Sequence, residues 1–335
     1  MTPWAEVLWA AMGLGLSVYA VTGGADLGAG LWSLLARGPR KAAQRKAVQD
    51  AIAPIWEANH VWLIFVIVVM FSAFSRAFAV ISIALHVPIA LALLGIVLRG
   101  AAYTFNAYGV GDERVGWERV FAWASLVTPV LLGTVVGAVS SGDIRVVEGE
   151  VTTGYFAGWT SPFALCVGAF SLALFALLSS VYLAAESEGD VAEDFRRRAL
   201  WMEGIAGALA LVTFLMARGH APGLFDNLAR SPFTWPIQIA TAVAALAATA
   251  LLWTRRLGWA RYLAAVQVGL VVVGWGLAMR GHFVLPDVTL AEASPNPEVM
   301  PALCLALGIG SLLLVPALVY LYRVFKSSSG RARRS

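Results

Sequence analysis

Nine apolar runs, each long enough to cross a lipid bilayer, limit what this chain can fold into. They fall at about 7–35, 51–75, 77–99, 118–141, 160–185, 200–217, 234–254, 260–280 and 301–325. A spanning helix needs about 20 predominantly apolar residues. Lipid offers no water to unpaired backbone groups, so such runs must be helices or the strands of a closed barrel. These runs are too long and too evenly apolar for the alternating ten-residue strands of a barrel. The expected fold is an all-α polytopic membrane protein with nine transmembrane helices. Residues 1–335 read as a single integral membrane domain.

Composition closes off the other classes. Apolar residues make up 59% of the chain and charged residues 13%, against roughly 45–50% and about 25% in soluble domains. That much charge cannot cover a water-facing surface, which excludes a soluble enzyme, a disordered tail protein and a secreted disulfide scaffold. Cys166 and Cys304 sit inside apolar runs without any paired motif and read as small buried hydrophobes. Met1 to Glu6 lacks the basic region and cleavage site of a signal peptide, so the first run is expected to be retained.

The net charge of +4 invites a nucleic-acid reading, but the distribution of the charges refutes it. Nineteen of the 24 basic residues fall in alternate connections, beginning with Arg37, Arg40, Lys41, Arg45 and Lys46 and ending with the tail from Arg323. Basic residues collect in cytoplasmic loops. Nine spans with the N-terminus outside and the C-terminus cytoplasmic satisfy that rule over every loop. Tryptophans agree, because Trp4, Trp9, Trp32, Trp117, Trp159, Trp201, Trp235, Trp253 and Trp259 fall near expected span ends. Trp62 is an exception, well inside the second span.

Ionisable residues at membrane depth are costly and are functional candidates by default. Here they are Asp26 in the first span, Glu57 and His60 in the second, His86 in the third and Glu203 in the sixth. At about 1.5 Å of rise per residue, Asp26 and His60 lie about 13 Å from the cytoplasmic face, Glu57 about 9 Å and His86 about 16 Å. Asp26, Glu57, His60 and His86 thus share one expected layer, with Glu57 and His60 on one helix face. Three readings fit such a layer: a proton path from the cytoplasm, mutual pairing as helix glue, or haem ligation by His60 and His86. A metal centre needs more ligands than these.

The stretch Gly23-Gly24-Ala25-Asp26-Leu27-Gly28-Ala29-Gly30 lies within a span and is no dinucleotide fingerprint. Gly24 with Gly28, and Gly133 with Gly137, are spaced for close helix crossings. Pro54 opens the second span, where proline is tolerated, and Pro88 is expected to kink the third.

At Ile52-Ala53-Pro54-Ile55-Trp56-Glu57-Ala58-Asn59-His60-Val61-Trp62-Leu63 the sequence resembles subunit II of the cytochrome bd-type quinol oxidases. Further matching segments are Ala25–Gly30, Leu98-Arg99, Ser161–Leu165, Glu188–Asp190, Gly274–Leu277 and Leu285–Thr289. The resemblance implies two four-helix bundles plus one peripheral helix in a bacterial cytoplasmic membrane. It implies a haem-bearing partner, subunit I, which holds the b- and d-type haems and the quinol site, and it leaves room for a small third subunit. It implies no haem ligated by this chain, with membrane lipid and quinone as the small partners; no metal and no nucleic acid are expected, on the ligand count and charge distribution above. The implied complex oxidises quinol and reduces dioxygen to water, with protons taken from the cytoplasm. No catalytic residue is expected in this chain.

Residue by residue, Asp26 and Glu57 match acids of the family's first two helices, Trp62 matches the tryptophan of its oxygen-access region, and Trp56, Asn59 and Arg99 also match. Gly23 stands where many members carry an acid, so a proton path here must be rerouted, through water or His60. A proton-coupled secondary transporter using Asp26 and Glu57 is the alternative from another class, although inverted repeats of broken helices are not evident.

Overall fold

A computed structural model of the chain describes residues 3–52, 56–108, 112–293 and 297–332. The helices are α1 (Pro3–Leu34), α2 (Lys41–Ile52), α3 (Trp56–Ala73), α4 (Ser75–Ala84), α5 (His86–Tyr108), α6 (Asp112–Ser141) and α7 (Pro162–Glu186). They continue as α8 (Gly189–His220), α9 (Pro222–Arg230), α10 (Trp235–Trp253), α11 (Leu257–Ala278), α12 (Leu290–Ala293) and α13 (Met300–Ala332). Two hairpins interrupt them: β1 (Val146–Val147) with β2 (Glu150–Val151), and β3 (His282–Val284) with β4 (Val288–Thr289). Eight of the described helices are long and apolar enough to cross a membrane, and the count reaches nine when the bent pair α3–α4 is taken as one crossing.

The second and third crossings differ from their expected bounds. Residues 41–52 form the polar α2, and the crossing helix α3 begins at Trp56. Residues 75–84 do not begin the third crossing, because α4 is turned 117° from α3. Phe74, at the break, is wholly buried with its ring 4.8 Å from that of Phe283. Ala77, Val80 and Ala84 bury one stripe of α4 in the same cluster. An apolar helix lying across the end of a bundle has the same composition as one that spans, which is why the run misled. The third crossing is α5, and Pro88 falls in its first turn, where a missing N–H is harmless. Pro88 therefore does not kink the helix as expected; the chain turns at Phe74 and Leu85 instead.

Small residues let the helices close. In α1, a Cβ on Gly28 would fall on the Phe175 carbonyl, and one on Gly24 on the Phe175 ring. Between α6 and α7, a Cβ on Gly137 or Gly133 would press on the Cα of Ala164 or Gly168. Both glycine pairs thus mark close crossings, as their spacing predicted. Trp32, expected at the interface, is buried and ties α1 to α7, donating from Nε1 to the Ala176 carbonyl at 3.0 Å and Ser179 Oγ at 2.9 Å. The Ser161-Pro162 segment is an N-terminal cap on α7: Ser161 Oγ accepts from the Ala164 N–H, and Pro162 takes the first position.

The helices pack in two groups, α1 with α3, α5 and α6, and α7 with α8, α10 and α11; α1 and α6 both lie along α7 and join them. The peripheral α13 touches α1 and α3 and buries none of its apolar stretch. One end of the bundle is capped by the hairpins, where Asp287 Oδ2 accepts from Arg145 Nε and the Val146 N–H, both at 2.8 Å. The other end is basic, with Arg40 on Asp194, Arg45 on Glu118, and Arg196 and Arg255 on Glu193.

Candidate functional site

The strongest polar feature inside the bundle is an ion pair. Arg99 Nη1 donates to Asp26 Oδ2 and Nη2 to Oδ1, each at 2.7 Å, and Nη2 also donates to the Asp26 carbonyl at 2.9 Å. Arg99 Nε donates to Ser125 Oγ at 3.0 Å, and the guanidinium lies 5.0 Å over the Phe121 ring. The two charged side chains are 3% and 5% exposed. Arg99 was expected among the basic residues closing the third span. It instead lies within α5 and faces inward, because the crossing begins at His86 and extends to Tyr108.

Glycines shape this site as well. A Cβ on Gly30 of α1 would overlap Ser125 Oγ, and one on Gly95 of α5 would overlap Thr128 Oγ1. The missing side chains admit two hydroxyls of α6, Ser125 at the ion pair and Thr128 against α5. Thr128 Oγ1 is buried and has no hydrogen-bond partner among the described residues. A fork-to-fork guanidinium–carboxylate pair fixes geometry as well as charge, so α1, α5 and α6 are locked at this level.

The other expected residues divide into two places. His60 lies against Tyr19, ring centroids 6.1 Å apart and edge to face. Asn59, buried, donates from Nδ2 to the Thr22 carbonyl at 3.4 Å and ties α3 to α1. Trp62 is half-buried, its ring 6.4 Å from Phe65. Trp56 and Glu57 open α3, and their side chains lie outside the described residues. His86 does not join this group. It starts α5 at the capped end, exposed, with its ring 4.9 Å from Tyr155 and Nδ1 2.9 Å from the Ile83 carbonyl. Along α1, His60 thus lies at Tyr19, about 10 Å from the level of Asp26, and His86, whose depth was measured from a span that starts too early, lies apart from both at the capped end.

Tyr19 was missed by sequence reasoning. It precedes Asp26 by seven residues, which puts both on one face of α1. It is 3% exposed, and its hydroxyl has no hydrogen-bond partner among the described residues. Its ring also occupies the space where a Cβ on Gly23 would stand. Glycine at this position is what admits the tyrosine. In the second helix group, Gln267 Nε2 donates to Glu203 Oε2 at 3.1 Å, with both residues buried. Among the described residues, no three His, Cys, Asp or Glu side chains are grouped to hold a metal ion.

A family model described as cytochrome bd terminal oxidase subunit II matches residues 4–325. The chain belongs to that family. The chain is similar to a putative cytochrome bd menaquinol oxidase subunit II of Bacillus subtilis, 23% identical over 92% of this chain and 91% of that protein. Subunit 2 of the cytochrome bd-I ubiquinol oxidase of Escherichia coli is 23% identical over 86% of this chain and 83% of its own length. The bd oxidase structure from Geobacillus thermodenitrificans superposes with a TM-score of 0.81 at 24% identity, covering 97% of this chain and 99% of that one. The bd oxidase subunit II fold is therefore this chain's fold, and the transporter reading finds no support.

Proposed function

We propose that this chain is the supporting subunit of a quinol oxidase, assembled with a subunit I that holds the b- and d-type haems and the quinol site. Family membership carries this reading, and the relatives named as menaquinol and ubiquinol oxidases support quinol as the reductant class. The haems supply electron transfer and dioxygen reduction; this chain holds its partner and shapes access to it. The arginine clusters at 37–46, 196–198 and 255–261 support placing the basic end in the cytoplasm of a bacterium and the hairpin cap outside. A cheap test is purification of the tagged chain from its native membrane. A reduced-minus-oxidised haem spectrum is the expected result, and absence of any haem-bearing membrane subunit would refute the assignment.

Within the chain, we assign the proton route to Glu57, His60 and Tyr19, and a holding role to Asp26. Both Asp26 carboxylate oxygens are already engaged by Arg99, which leaves that acid poorly placed to pass a proton on. His86 belongs with the cap. Glu57→Gln and Tyr19→Phe are each expected to slow quinol oxidation coupled to oxygen reduction by about tenfold, with assembly intact. Unchanged turnover in both variants would reduce these groups to packing.

For oxygen access, Trp62 is the candidate, half-buried on a helix whose Ile64, Ile67 and Val68 are exposed. Trp62→Ala is expected to shift the apparent oxygen affinity about twofold or more while the complex still assembles, since truncating a large half-buried aromatic opens apolar space beside α3. An unaltered affinity would remove it from the route.

A further inference from the structure

Two clefts at the basic end share one arginine. The first, of about 370 Å³, lies between the α1–α2 connection and α8, and four arginines line it against one acid, Asp194. Arg40 is spent on that acid, with Nε and Nη2 donating to it at 2.8 and 2.7 Å. Arg37 is exposed. Arg198 donates to the Gln44 amide oxygen rather than a carboxylate, and its guanidinium packs over the Trp32 and Phe195 rings with Nη1 buried. Arg40 Nη1 also reaches Asp190 at 3.3 Å, and Arg197 Nε donates to Glu193 Oε1 at 3.1 Å, so Arg37 and Arg198 are the cleft arginines without an ion pair among the described residues.

The second cleft, of about 300 Å³, lies between α8 and α10 and is lined by Arg197, Leu200, Trp201 and Trp253. Arg197 also lines the first. Trp201 follows it by one helical turn on the same face of α8, and Trp253 ends α10. The two indoles are 75% and 74% exposed. Exposed tryptophans at the ends of membrane helices sit at headgroup level, and basic pockets between such helices take anionic headgroups. A molecule filling both clefts must be anionic at one end and apolar at the other.

We propose that the two adjoining clefts hold one anionic phospholipid, its phosphate at Arg37 and Arg197 and its upper acyl chains against Leu200, Trp201 and Trp253. The proposal rests on the chain crossing a membrane and not on the quinol reading. The test uses the chain in whatever assembly it forms in its native membrane, stripped of lipid and placed in nanodiscs with equal phosphatidylglycerol and phosphatidylcholine. Native mass spectrometry then counts retained lipid.

The parent is expected to keep phosphatidylglycerol over phosphatidylcholine. Arg37→Gln/Arg197→Gln is expected to weaken that retention about 25-fold, each basic contact being worth about a factor of five. Arg37→Lys/Arg197→Lys, which preserves the charge, should retain most of it and separates loss of the site from loss of the fold. Trp201→Ala should lower retention but leave the preference for the anionic lipid. Equal retention of both lipids by the parent would overturn the proposal. Displacement by millimolar inorganic phosphate, but not by chloride at matched ionic strength, would also overturn it, since the site would then hold a free anion.

Discussion

Arg99→Leu is expected to destabilise the chain by about 3–5 kcal/mol, the usual cost of leaving one member of a buried ion pair without its partner. The pair is closed to water, with side chains 3% and 5% exposed, so neither charge has solvent to fall back on. Asp26→Leu should cost a similar amount, by stranding the guanidinium. The double variant Asp26→Leu/Arg99→Leu should recover much of the loss, because apolar replacements of a buried pair are often neutral or better. Thermal unfolding of the purified complex, combined as a double-mutant cycle, measures the coupling directly. If each single variant melts with the parent, the pair is not the clamp on α1, α5 and α6 that its geometry indicates.

The second large effect is expected at Gly28. A Cβ there would stand on the Phe175 backbone carbonyl, and a backbone atom cannot rotate away as the end of a side chain can. Gly28→Val should therefore fall at the upper end of the roughly 1–3 kcal/mol cost of overpacking, by forcing α1 away from α7. Gly13→Ala on the same helix is the control, since nothing lies within 4 Å of its Cβ. It should be neutral, or stabilising by about 0.5–1 kcal/mol, because glycine is a poor helix residue. Equal melting temperatures for the two variants would show that the α1–α7 crossing can relax without loss.

Much of the site was legible in part. Asp26 and His60 stood out as ionisable residues in apolar surroundings, Asn59 was marked by the family resemblance alone, and the glycine spacing around Asp26 foretold a close crossing. What the sequence could not show was pairing. Arg99 looked like a loop residue because it ends an apolar stretch, yet its fork meets an acid 73 positions earlier. Tyr19 carries no signal of its own in an apolar helix; its burial and the fit of its ring over Gly23 come from packing. His86 was drawn into the polar layer by an assumed start of the third span. The bend at Phe74 moved that start, and His86 moved with it to the capped end.

The scarcity of charge and the length of the apolar runs determined by themselves that this is a bundle of membrane-spanning helices. Those properties depend on the cost of unpaired backbone in lipid, which is paid segment by segment and needs no knowledge of neighbours. The placement of basic residues likewise set the two ends apart. Only the tertiary structure decided that Ser75–Ala84 lies across the bundle rather than through it, and that Arg99 and Asp26 meet. Both outcomes come from contacts between residues far apart in the chain, Phe74 with Phe283 and α5 with α1. Burial and charge pairing of that kind are settled only when distant helices close on one another.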